Sequence, residues 1–600
     1  MSPDIAASAP WQMRASEPAR DAEVARRHSI STVLATLLAT RGIEGDETIE
    51  RHMTPRMTDL HDPFLLPGMQ AATERILRAV REKETVLVHG DYDVDGVTGT
   101  TLLMRLFSAI GGHACWHIPN RFTDGYSFGA HSIARAKEVG ASLVISVDNG
   151  TSAIETIREL KELGIDTIVT DHHEPPQSGE LPPAVAIVNP KLNDSTYPFR
   201  ELCGGAVAFK LAWGVCHALT GEARLPDELR SFLLESMAYV AVATVCDVVP
   251  LIDENRVLAR FGLRSLGATN NPGLAALRSV AGLADGPPPD AEDVAFQIGP
   301  RINASGRLGS AHFAVELLLA GDAEQARGLA KTLDELNQER RRIERELCEE
   351  AYAVAETFAD EREHPVLVVA GEGWHQGVVG IVAARLVDRY RRPAIVIGLD
   401  GSEGRGSARS VPGFSVLDVM HGGAAYMQRY GGHEQAAGCE VRAEDVDRLR
   451  DALCKRAREM LDGGALPTAP VHIDCELAFG DVTPTFMREL DRLKPFGERN
   501  DTPVFLARDL RLAEHPRVLG KTRDHMALTL RRGDHVLRGM AFGMAAREGE
   551  LLPGEPIDLV FTPRWNTFRG ETRLELSIVD FRAGAAAGLP LAMGARPAAD

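Results

Sequence analysis

The sequence predicts a multidomain α/β protein: a parallel-sheet domain, a second α/β domain joined to it by a long helix, and a C-terminal β barrel. Three observations carry this prediction. The 600 residues correspond to about four domains of ordinary size. From Thr85 onward, short apolar runs ending in polar residues alternate with segments of helical spacing, as in parallel sheets covered by helices. Beyond residue 471 short strand-like runs follow one another, which is typical of a small antiparallel barrel.

The N-terminal part precedes the first sheet. Residues 1–20 are rich in Ala, Ser and Pro and are expected to be disordered. The rest of the segment 1–84 has apolar spacing typical of helices. Residues 85–320 are predicted to form the first α/β domain. Its strands are expected in the runs TVLVHGD, ACWHIPN, SLVISVDNG, DTIVTDHH and AVAIVNP.

A long helix is predicted over 321–360, because apolar residues recur there at intervals of three, four and seven. Such a stripe is a packing seam, and we expect it to bridge two lobes. A second α/β domain follows over 361–462. After the linker composition GGALPTAP, the barrel domain is assigned to 463–585, and the low-complexity tail 586–600 is expected to be disordered.

Composition and charge narrow the class of protein. The chain is 44% hydrophobic and 25% charged, which is typical of globular proteins, and its net charge of −19 excludes a generally basic nucleic-acid coat. A local exception is the segment 505–540, with eight basic and four acidic residues. Eight scattered cysteines without a CxxC pair suit a reducing cytosol. Neither a membrane segment nor a signal peptide is recognisable, so we expect a cytoplasmic protein without membrane association.

Acidic and histidine side chains follow several of the predicted strands. Asp93 and Asp95 lie in HGDYDVDG, Asp148 follows SLVISV, His172 follows DTIVT, and Asp247 interrupts an apolar helical segment. The carboxyl ends of parallel strands converge on one crevice, so these side chains are expected to meet there. A lone DxD is equally compatible with a plain turn. Several buried carboxylates in one place, however, need a cation to offset their repulsion.

The ligand types indicate the metal. Carboxylates with imidazole suit Mn²⁺ or Mg²⁺ rather than thiolate-binding ions. This number of ligands is enough for two divalent ions, with Asp148 as the candidate bridge. Paired divalent ions are the usual apparatus for in-line attack on phosphorus, so the sequence predicts a phosphoesterase with a two-metal mechanism.

At this point the motifs resemble a known family. HGDYDVDG, VDNG, DHH and VCDVVPL together resemble the DHH phosphoesterase superfamily. Further segments are similar to the RecJ-type single-strand-specific 5′→3′ DNA exonucleases, and the resemblance runs from about residue 80 to about 580. These segments are NRFTDGY (120–126), ELCGGAVAFK (201–210), IGPRINASGR (298–307), GWHQGVVGIVAAR (373–385), GSARS (406–410) and GGHEQAAG (431–438). The resemblance implies a DHH domain, a DHHA1 domain and an OB-fold barrel.

The resemblance also implies roles near the metal site. His89 matches a ligand histidine of related phosphatases, and is expected either to bind metal or to support the ligands. Asp171 would brace the ligand set and His173 would orient the scissile phosphate. Arg301 matches a phosphate-facing arginine; the alternative is a surface arginine paired with an acid.

Substrate contacts are implied in the second lobe. The hydroxyl of Ser407 and the guanidinium of Arg409 suit a terminal phosphate, and the resemblance assigns them to the 5′-phosphate of the DNA. Arg121 is a candidate third contact. His433 is expected near the substrate, although its Gly-rich loop is equally explained by tight packing. Tyr126 is a candidate for stacking on a base; as a lone aromatic residue it is alternatively a core residue.

The barrel resembles an OB-fold, a fold that binds single strands through basic grooves and aromatic platforms. Trp565 lies between Arg564 and Asn566 in an expected loop, and is the candidate for stacking on a base.

The function that these observations predict is 5′→3′ hydrolysis of single-stranded DNA to 5′-mononucleotides. From the resemblance follow roles in recombination and repair and contacts with single-strand-binding protein and a helicase. We expect a monomer. One alternative is a small-substrate DHH phosphodiesterase or pyrophosphatase, but those chains generally lack a barrel domain. The other is an inactive DHH-type structural replication factor, but such proteins lose ligand residues that are present here.

Overall fold

The computed structural model of the chain describes residues 10–124, 128–221, 224–568 and 571–594. The chain divides into two compact units. The first unit consists of Met1–Leu60, Pro250–Val257 and Ala469–Asp600. The second consists of His61–Val249 and Leu258–Thr468.

The N-terminal segment is ordered from residue 10 onward. Its elements are β1 (Trp11–Arg14), α1 (Pro18–His28), α2 (Thr32–Thr40) and α3 (Asp46–Met53). The hydroxyl of Ser31 caps α2 by accepting a hydrogen bond from the Leu34 N–H. The expectation of disorder over residues 1–20 is therefore wrong for the described residues 10–20. The physical reason is burial: the Trp11 side chain is enclosed, and its Nε1 donates to the Asp580 carboxylate at 2.7 Å.

The first lobe of the second unit has a five-stranded parallel sheet in the order β3-β2-β4-β5-β6. Its elements are α4 (Met69–Glu82), β2 (Thr85–His89), α5 (Val94–Ala109), β3 (His113–His117), α6 (Ala130–Val139), β4 (Leu143–Val147), α7 (Ile154–Glu162), β5 (Asp166–Thr170) and β6 (Ala186–Val188). The central strand β4 is buried at every residue, as expected for a sheet covered on both faces. The predicted parallel sheet is confirmed.

Helices follow along the chain. They are α8 (Gly204–Thr220), α9 (Asp227–Cys246), α10 (Asp253–Gly267), α11 (Pro272–Val280), α12 (Ala291–Asp293), a π-helical turn (Val294–Ile298), α13 (Gly299–Leu308), α14 (His312–Leu319) and α15 (Ala323–Glu356). Of the described helices, α9 alone has the length and apolar composition to cross a membrane. Within its most apolar window, 61% is buried inside the protein, which is typical of a core helix.

The long helix α15 connects two hydrophobic cores of the second unit. Ala326 and Leu333 pack among the helices of the first lobe. Leu347 and Ala351 pack with the elements of the second lobe. The apolar stripe predicted as a packing seam thus bridges the two lobes.

The second lobe has a mixed five-stranded sheet in the order β10-β11-β9-β8-β7. Its elements are β7 (Leu367–Glu372), α16 (Val379–Tyr390), β8 (Ala394–Asp400), β9 (Glu403–Arg409), α17 (Val416–His421), β10 (Arg429–Gly432), β11 (Ala436–Arg442) and α18 (Val446–Leu461). The strands β7 and β8 are parallel, and the remaining pairs are antiparallel. The predicted second α/β domain is present.

The C-terminal part forms a seven-stranded sheet in which β14 pairs with both β18 and β16. This double pairing closes the sheet towards a barrel, as predicted. Its elements and flanking strands are β12 (Val471–Ile473), β13 (Cys475–Glu476), α19 (Pro484–Leu490), β14 (Phe505–Leu512), β15 (Arg517–Leu519), β16 (His525–Arg532), β17 (His535–Ala541), β18 (Ile557–Phe568), β19 (Glu571–Ala583) and β20 (Ala592–Gly594).

Residues 11–14 and 592–594 lie in one small sheet, because β1 pairs in parallel with both β12 and β20. The described part of the tail, up to residue 594, is thus ordered where disorder was expected. In the same unit, Leu34 and Leu38 of α2 share a core with Phe505 and Phe561 of the barrel. The sequence pattern did not indicate that the N-terminal helices would pack on the barrel. All eight cysteines are free thiols.

Candidate metal centre and substrate cleft

The carboxyl ends of β2, β4 and β5 bring acidic and histidine side chains together. His172, which follows β5, is the central residue. Its Nε2 lies 3.2 Å from Asp148 Oδ1, 3.5 Å from Asp247 Oδ2 and 3.8 Å from Asp95 Oδ2. Residues from segments that are distant in sequence therefore meet in one place.

Two neighbouring sets of ligand atoms result. Asp91, Asp93 and Asp148 offer oxygens within 4.8 Å of one another, and so do the ligand atoms of Asp95, His172 and Asp247. Asp148 also belongs with His172 in a third set. The structure thus brings together all five residues that the strand-end argument singled out, and places Asp148 between the two groups. Asp91, another aspartate of the HGDYDVDG motif, joins the first of these sets.

The electrostatics of this cluster favour the binding of cations. Burial and neighbouring carboxylates raise the pKa of Asp148 well above its usual range, that of Asp247 to about 9 and that of Asp91 to about 7. Within the described structure, Asp148 Oδ1 and Asp247 Oδ2 are buried and accept no hydrogen bond. Buried carboxylate oxygens without donors fit divalent ions, which prefer oxygen ligands.

Backbone N–H groups hold Asp95 in position. Its Oδ2 accepts from the Gly204 N–H at 2.6 Å and its Oδ1 from the Gly205 N–H at 2.7 Å, at the N-terminus of α8. The positive end of the helix stabilises this carboxylate. A Cβ at position 204 would lie 2.6 Å from the Asp148 Cβ, so glycine is required there. This role of the Gly-Gly pair in ELCGGAVAFK was missed by the sequence reasoning.

Asp171 and His173 form a pair beside the ligands. Asp171 Oδ1 lies 2.8 Å from His173 Nδ1 and also accepts from the backbone N–H groups of His172 and His173. Burial would raise the pKa of Asp171, but hydrogen bonds from His173 and Thr151 lower it below its usual range. The hydrogen bond to Asp171 raises the pKa of His173 to about 9, so in the metal-free protein this half-exposed ring carries a positive charge at neutral pH.

His89 does not lie with the carboxylates. The residue ends β2, is fully buried, and its Nε2 lies 2.9 Å from Ser132 Oγ. Its ring packs against Phe128 and two other histidines, and it belongs to none of the acidic sets found among the described residues. Burial and the neighbouring imidazoles of His117 and His131 lower its pKa well below the usual range. The expectation that His89 binds or supports the catalytic metals is therefore not supported, because its ring turns to a different set of neighbours.

Arg301 is held by protein groups rather than turned to a phosphate. Its guanidinium pairs with Asp334 at 2.9 Å and donates to the carbonyls of Gln297 and Val280. The alternative, an arginine paired with an acid, is what the structure shows. Arg307, six residues further and about 120° round the helix, lines the open cleft instead. The sequence feature that could have identified Arg307 is the second arginine of IGPRINASGR.

The cleft, of about 830 Å³, lies between the two lobes of the second unit. Cationic side chains dominate it: Arg121, Arg307, Arg405, Arg409 and Arg429. Burial, with repulsion from Arg121, Arg340 and Arg409, lowers the pKa of Arg307 to about 10. Cations that repel one another across a pocket indicate a binding site for an anion.

The predicted phosphate contacts meet in this cleft. Arg409 Nη1 donates to Ser407 Oγ at 3.0 Å, and both residues line the pocket from β9. Arg121 enters from the first lobe, where it lies over the Tyr92 ring at 4.3 Å and donates to its hydroxyl at 3.1 Å. Tyr92 lies in the chain between Asp91 and Asp93, so the cleft and the acidic cluster share one loop.

The remaining predicted contacts are placed elsewhere. His433 lies exposed in the turn between β10 and β11, and is not among the described residues that line the cleft. Tyr126 lies outside the described residues. Trp565 is on β18 opposite Leu574, not in a loop as expected, and its side chain is exposed. The loop expectation is wrong because β18 extends as far as Phe568.

Comparisons with known proteins agree with this architecture. Three family models match: the DHH family N-terminal domain over residues 85–239, the DHHA1 domain over 363–459 and the RecJ OB domain over 473–580. The single-stranded-DNA-specific exonuclease RecJ of Bacillus subtilis is 37% identical over 96% of this chain and 71% of that protein. The RecJ of Escherichia coli is 33% identical over 91% of this chain and 95% of that one.

Solved structures of a RecJ protein also match this chain. The crystal structure of Thermus thermophilus RecJ in complex with Mn²⁺ covers 97% of this chain and 80% of its own, with a TM-score of 0.80 and 30% identity. The Mg²⁺ complex of the same protein covers 98% of this chain and 79% of its own, with a TM-score of 0.74 and 28% identity.

Proposed function

The chain belongs to the RecJ family, and we propose that it is a metal-dependent exonuclease that degrades single-stranded DNA from the 5′ end to 5′-mononucleotides. One observation carries the proposal: the loop with Asp91 and Asp93 supplies ligand atoms on one side and, through Tyr92, lines an arginine-rich cleft on the other. A site for cations and a site for phosphate are therefore adjacent in one unit. This is the arrangement that phosphodiester hydrolysis near a strand end requires.

The residues present fit two divalent ions, Mn²⁺ or Mg²⁺. Asp91, Asp93 and Asp148 would hold one, and Asp95, His172 and Asp247 the other. When bound, such ions supply Lewis acidity that activates water and neutralises charge on the phosphate oxygens. Asp95 is oriented for this task by the N-terminus of α8.

His173 is proposed to orient the scissile phosphate. Its ring is half-exposed next to the ligands and is held by Asp171 through Nδ1. Because the bond to Asp171 keeps the imidazole protonated, Nε2 presents an N–H towards solvent-accessible space. A charged donor next to the metal ligands favours the anionic transition state of phosphoryl chemistry.

The end of the strand is proposed to bind in the cleft. Ser407, Arg409, Arg121 and Arg307 together offer one hydroxyl and three guanidinium groups within a single pocket. A terminal phosphate carries more charge than an internal one, so such a pocket prefers ends. Capture of a 5′-phosphate next to the metal ligands would set the 5′→3′ direction of degradation.

The barrel is proposed to bind single-stranded DNA separately from the catalytic unit. Trp565 exposes its ring on β18 and is a candidate stacking platform, with stacking worth about 1–3 kcal/mol per base. The excess positive charge of the segment 505–540 is reduced by ion pairs, since Arg508, Arg511 and Arg517 each have an acidic partner. The proposed domains are 85–320 for catalysis, 361–462 for end recognition and 463–585 for strand binding.

The cellular setting is a further part of the proposal. A nuclease of this kind would act in DNA recombination and repair in the cytoplasm, as a monomer. Single-strand-binding protein and a helicase are proposed as partners, because they coat and generate the single strands that such an enzyme consumes.

The test is a digest in Mn²⁺ that compares four substrates: 5′-labelled single-stranded DNA, the matching duplex, short dinucleotides and pyrophosphate. Release of mononucleotides from the long single strand, with little cleavage of the other three, is expected. Cleavage of only dinucleotides or pyrophosphate would indicate the small-substrate alternative. No hydrolysis of any substrate, by a folded chain that still binds Mn²⁺, would indicate the inactive structural alternative.

A further inference from the structure

Three histidines form a cluster of their own at the edge of the first sheet. His89 ends β2 and His117 ends β3, where the two residues are partners in the parallel ladder; His131 lies in the first turn of α6. One ring nitrogen from each lies within 4.8 Å of the others. We propose that these imidazoles form a second metal site, for Zn²⁺, that is separate from the carboxylate cluster.

The spacing of two of the nitrogens matches a shared metal ion. His117 Nε2 and His131 Nδ1 are 3.3 Å apart. Two nitrogens bound to one tetrahedral zinc ion at about 2.0–2.1 Å are themselves separated by about 3.3–3.4 Å. A direct N–H···N hydrogen bond between the two rings also forms at this separation. The spacing of the pair is thus compatible with a shared metal ion, and the zinc measurement below distinguishes this from a hydrogen-bonded pair.

The third histidine is held close to this pair. His89 is fully buried, with its ring centroid 5.2 Å from that of His117 and 5.5 Å from that of His131. Ser132 Oγ lies 2.9 Å from His89 Nε2 and accepts from the Gly129 N–H, which fixes the hydroxyl beside the ring. His89 Nδ1 is buried and has no hydrogen-bond partner in the described structure. With Nε2 beside the Ser132 hydroxyl, the lone pair of Nδ1 is the one free for a metal ion or a donor.

The ligand chemistry selects zinc rather than the ions of the carboxylate cluster. Three imidazoles suit Zn²⁺, whereas Mn²⁺ and Mg²⁺ prefer carboxylate oxygens. Three protein ligands leave a fourth position for water. Of the three histidines, His117 lines a cavity of about 680 Å³, together with His312 and Glu138. The arginine in its lining, Arg135, is neutralised by Glu138 at 2.7 Å.

The site would join three elements, β2, β3 and α6. The chain runs from His89 directly into the loop with Asp91 and Asp93. Zinc would therefore stabilise the strand end that carries the catalytic carboxylates, without taking part in the reaction.

The experiment separates the two sites by starting from the full-length double variant Asp148→Asn/Asp247→Asn, which removes one carboxylate from each ligand set and so weakens metal binding at the carboxylate cluster. The protein is stripped with chelator, incubated with Zn²⁺ and desalted, and its zinc content is measured by elemental analysis. Co²⁺ is used in parallel, because its visible spectrum reports tetrahedral nitrogen ligation. His117→Ala and His131→Ala are then added singly, and circular dichroism checks the fold of each variant. The matched control is His113→Ala, an exposed histidine at the other end of β3.

We expect one zinc ion per chain in the double variant and with His113→Ala, with an increase in melting temperature. With either His117→Ala or His131→Ala, we expect zinc to be lost on desalting and the increase to disappear. Absence of zinc from the folded double variant would overturn the proposal. So would equal zinc retention in all four proteins. Because nuclease activity is not measured, neither outcome depends on the proposed function.

Discussion

His172 Nε2 lies 3.2 Å from Asp148 Oδ1, although the two residues follow different strands of the sheet. Asp148 reaches this position with a φ of 63°, in the left-handed region that residues other than glycine rarely adopt. Backbone strain of this kind persists where the surrounding structure enforces it, and it is concentrated at functional sites. The strand end is therefore shaped to present the carboxylate rather than to form an ordinary turn.

Asp148→Ala is expected to lower the Mn²⁺-dependent degradation of single-stranded DNA by about 10³-fold or more, because it removes a ligand of the first set that also lies 3.2 Å from His172 of the second. The metal-free melting temperature is expected to stay the same or rise, because a buried carboxylate without a donor is removed. Nuclease rates and thermal unfolding measure the two effects. Asp194→Ala, an exposed acid of the same lobe, is the control. Retained activity in Asp148→Ala would contradict the two-metal assignment.

Arg409→Ala is expected to reduce the preference for 5′-phosphorylated ends. One lost charge-assisted hydrogen bond corresponds to about 1.5–3 kcal/mol, or roughly 10- to 150-fold in kcat/KM on phosphorylated DNA. DNA with a 5′-hydroxyl should be affected much less. The ratio of the two rates is the measurement, and Arg442→Ala, exposed on β11, is the matched control. An equal loss on both ends would argue against a role in sensing the end.

Arg307→Ala and Arg301→Ala are expected to differ, although both residues lie in one motif. Loss of Arg307 should weaken binding of single-stranded DNA and reduce the salt slope by about 0.7, as for one phosphate contact. Loss of Arg301 should instead lower the free energy of unfolding by about 1–3 kcal/mol, because Asp334 and two carbonyls lose their partner. Binding titrations at several salt concentrations and denaturant unfolding distinguish the two. If Arg301→Ala weakened binding as much as Arg307→Ala, the assignment would be reversed.

Gly204→Ala is expected to impair the metal centre. The added methyl group would lie 2.6 Å from the Asp148 Cβ, so Asp148 or the N-terminus of α8 must move. We expect Mn²⁺ to bind at least about tenfold more weakly, as measured by calorimetry. Gly328→Ala in α15 is the control, because its Cβ meets nothing within 4 Å. Unchanged Mn²⁺ affinity in Gly204→Ala would show that the close approach is not needed.

Metal removal is expected to make stability depend on pH. In the metal-free protein, burial and nearby carboxylates raise the pKa of Asp247 to about 9 and that of Asp91 to about 7. Groups with a raised folded-state pKa hold more protons when folded, so their contribution is fully present below about pH 4 and is lost as pH rises through 7 and 9. The melting temperature in chelator should fall over that range more steeply than in Mn²⁺. In Asp247→Asn the fall in melting temperature in chelator should be smaller. An identical fall in Asp247→Asn and in the unsubstituted protein would contradict the explanation.

Much of the candidate metal centre could be predicted from the sequence. A strand that is buried throughout and then ends in an aspartate or histidine is a local pattern, and the topology of parallel sheets places all such ends at one edge. No further information was needed to place four residues at this edge: Asp93, Asp95, Asp148 and His172. Asp247 was recognisable as a charge in an apolar helix.

What the sequence could not supply was the direction of individual side chains. His89 and Arg301 lie in the expected motifs, yet one turns to Ser132 and two histidines and the other to Asp334. A residue type and its spacing do not specify which neighbours surround it, because those neighbours come from distant segments.

By itself, the sequence determined the α/β class, the linking helix, the barrel and the acidic residues that gather at the strand ends, because periodicity and strand-end polarity are local properties. Only the tertiary structure decided that the N-terminal helices share a core with the barrel. It also decided that Arg307 rather than Arg301 faces the cleft, and that three histidines gather apart from the carboxylates. The physical reason is that burial, hydrogen bonding and charge repulsion act between residues that are near in space, whatever their separation along the chain.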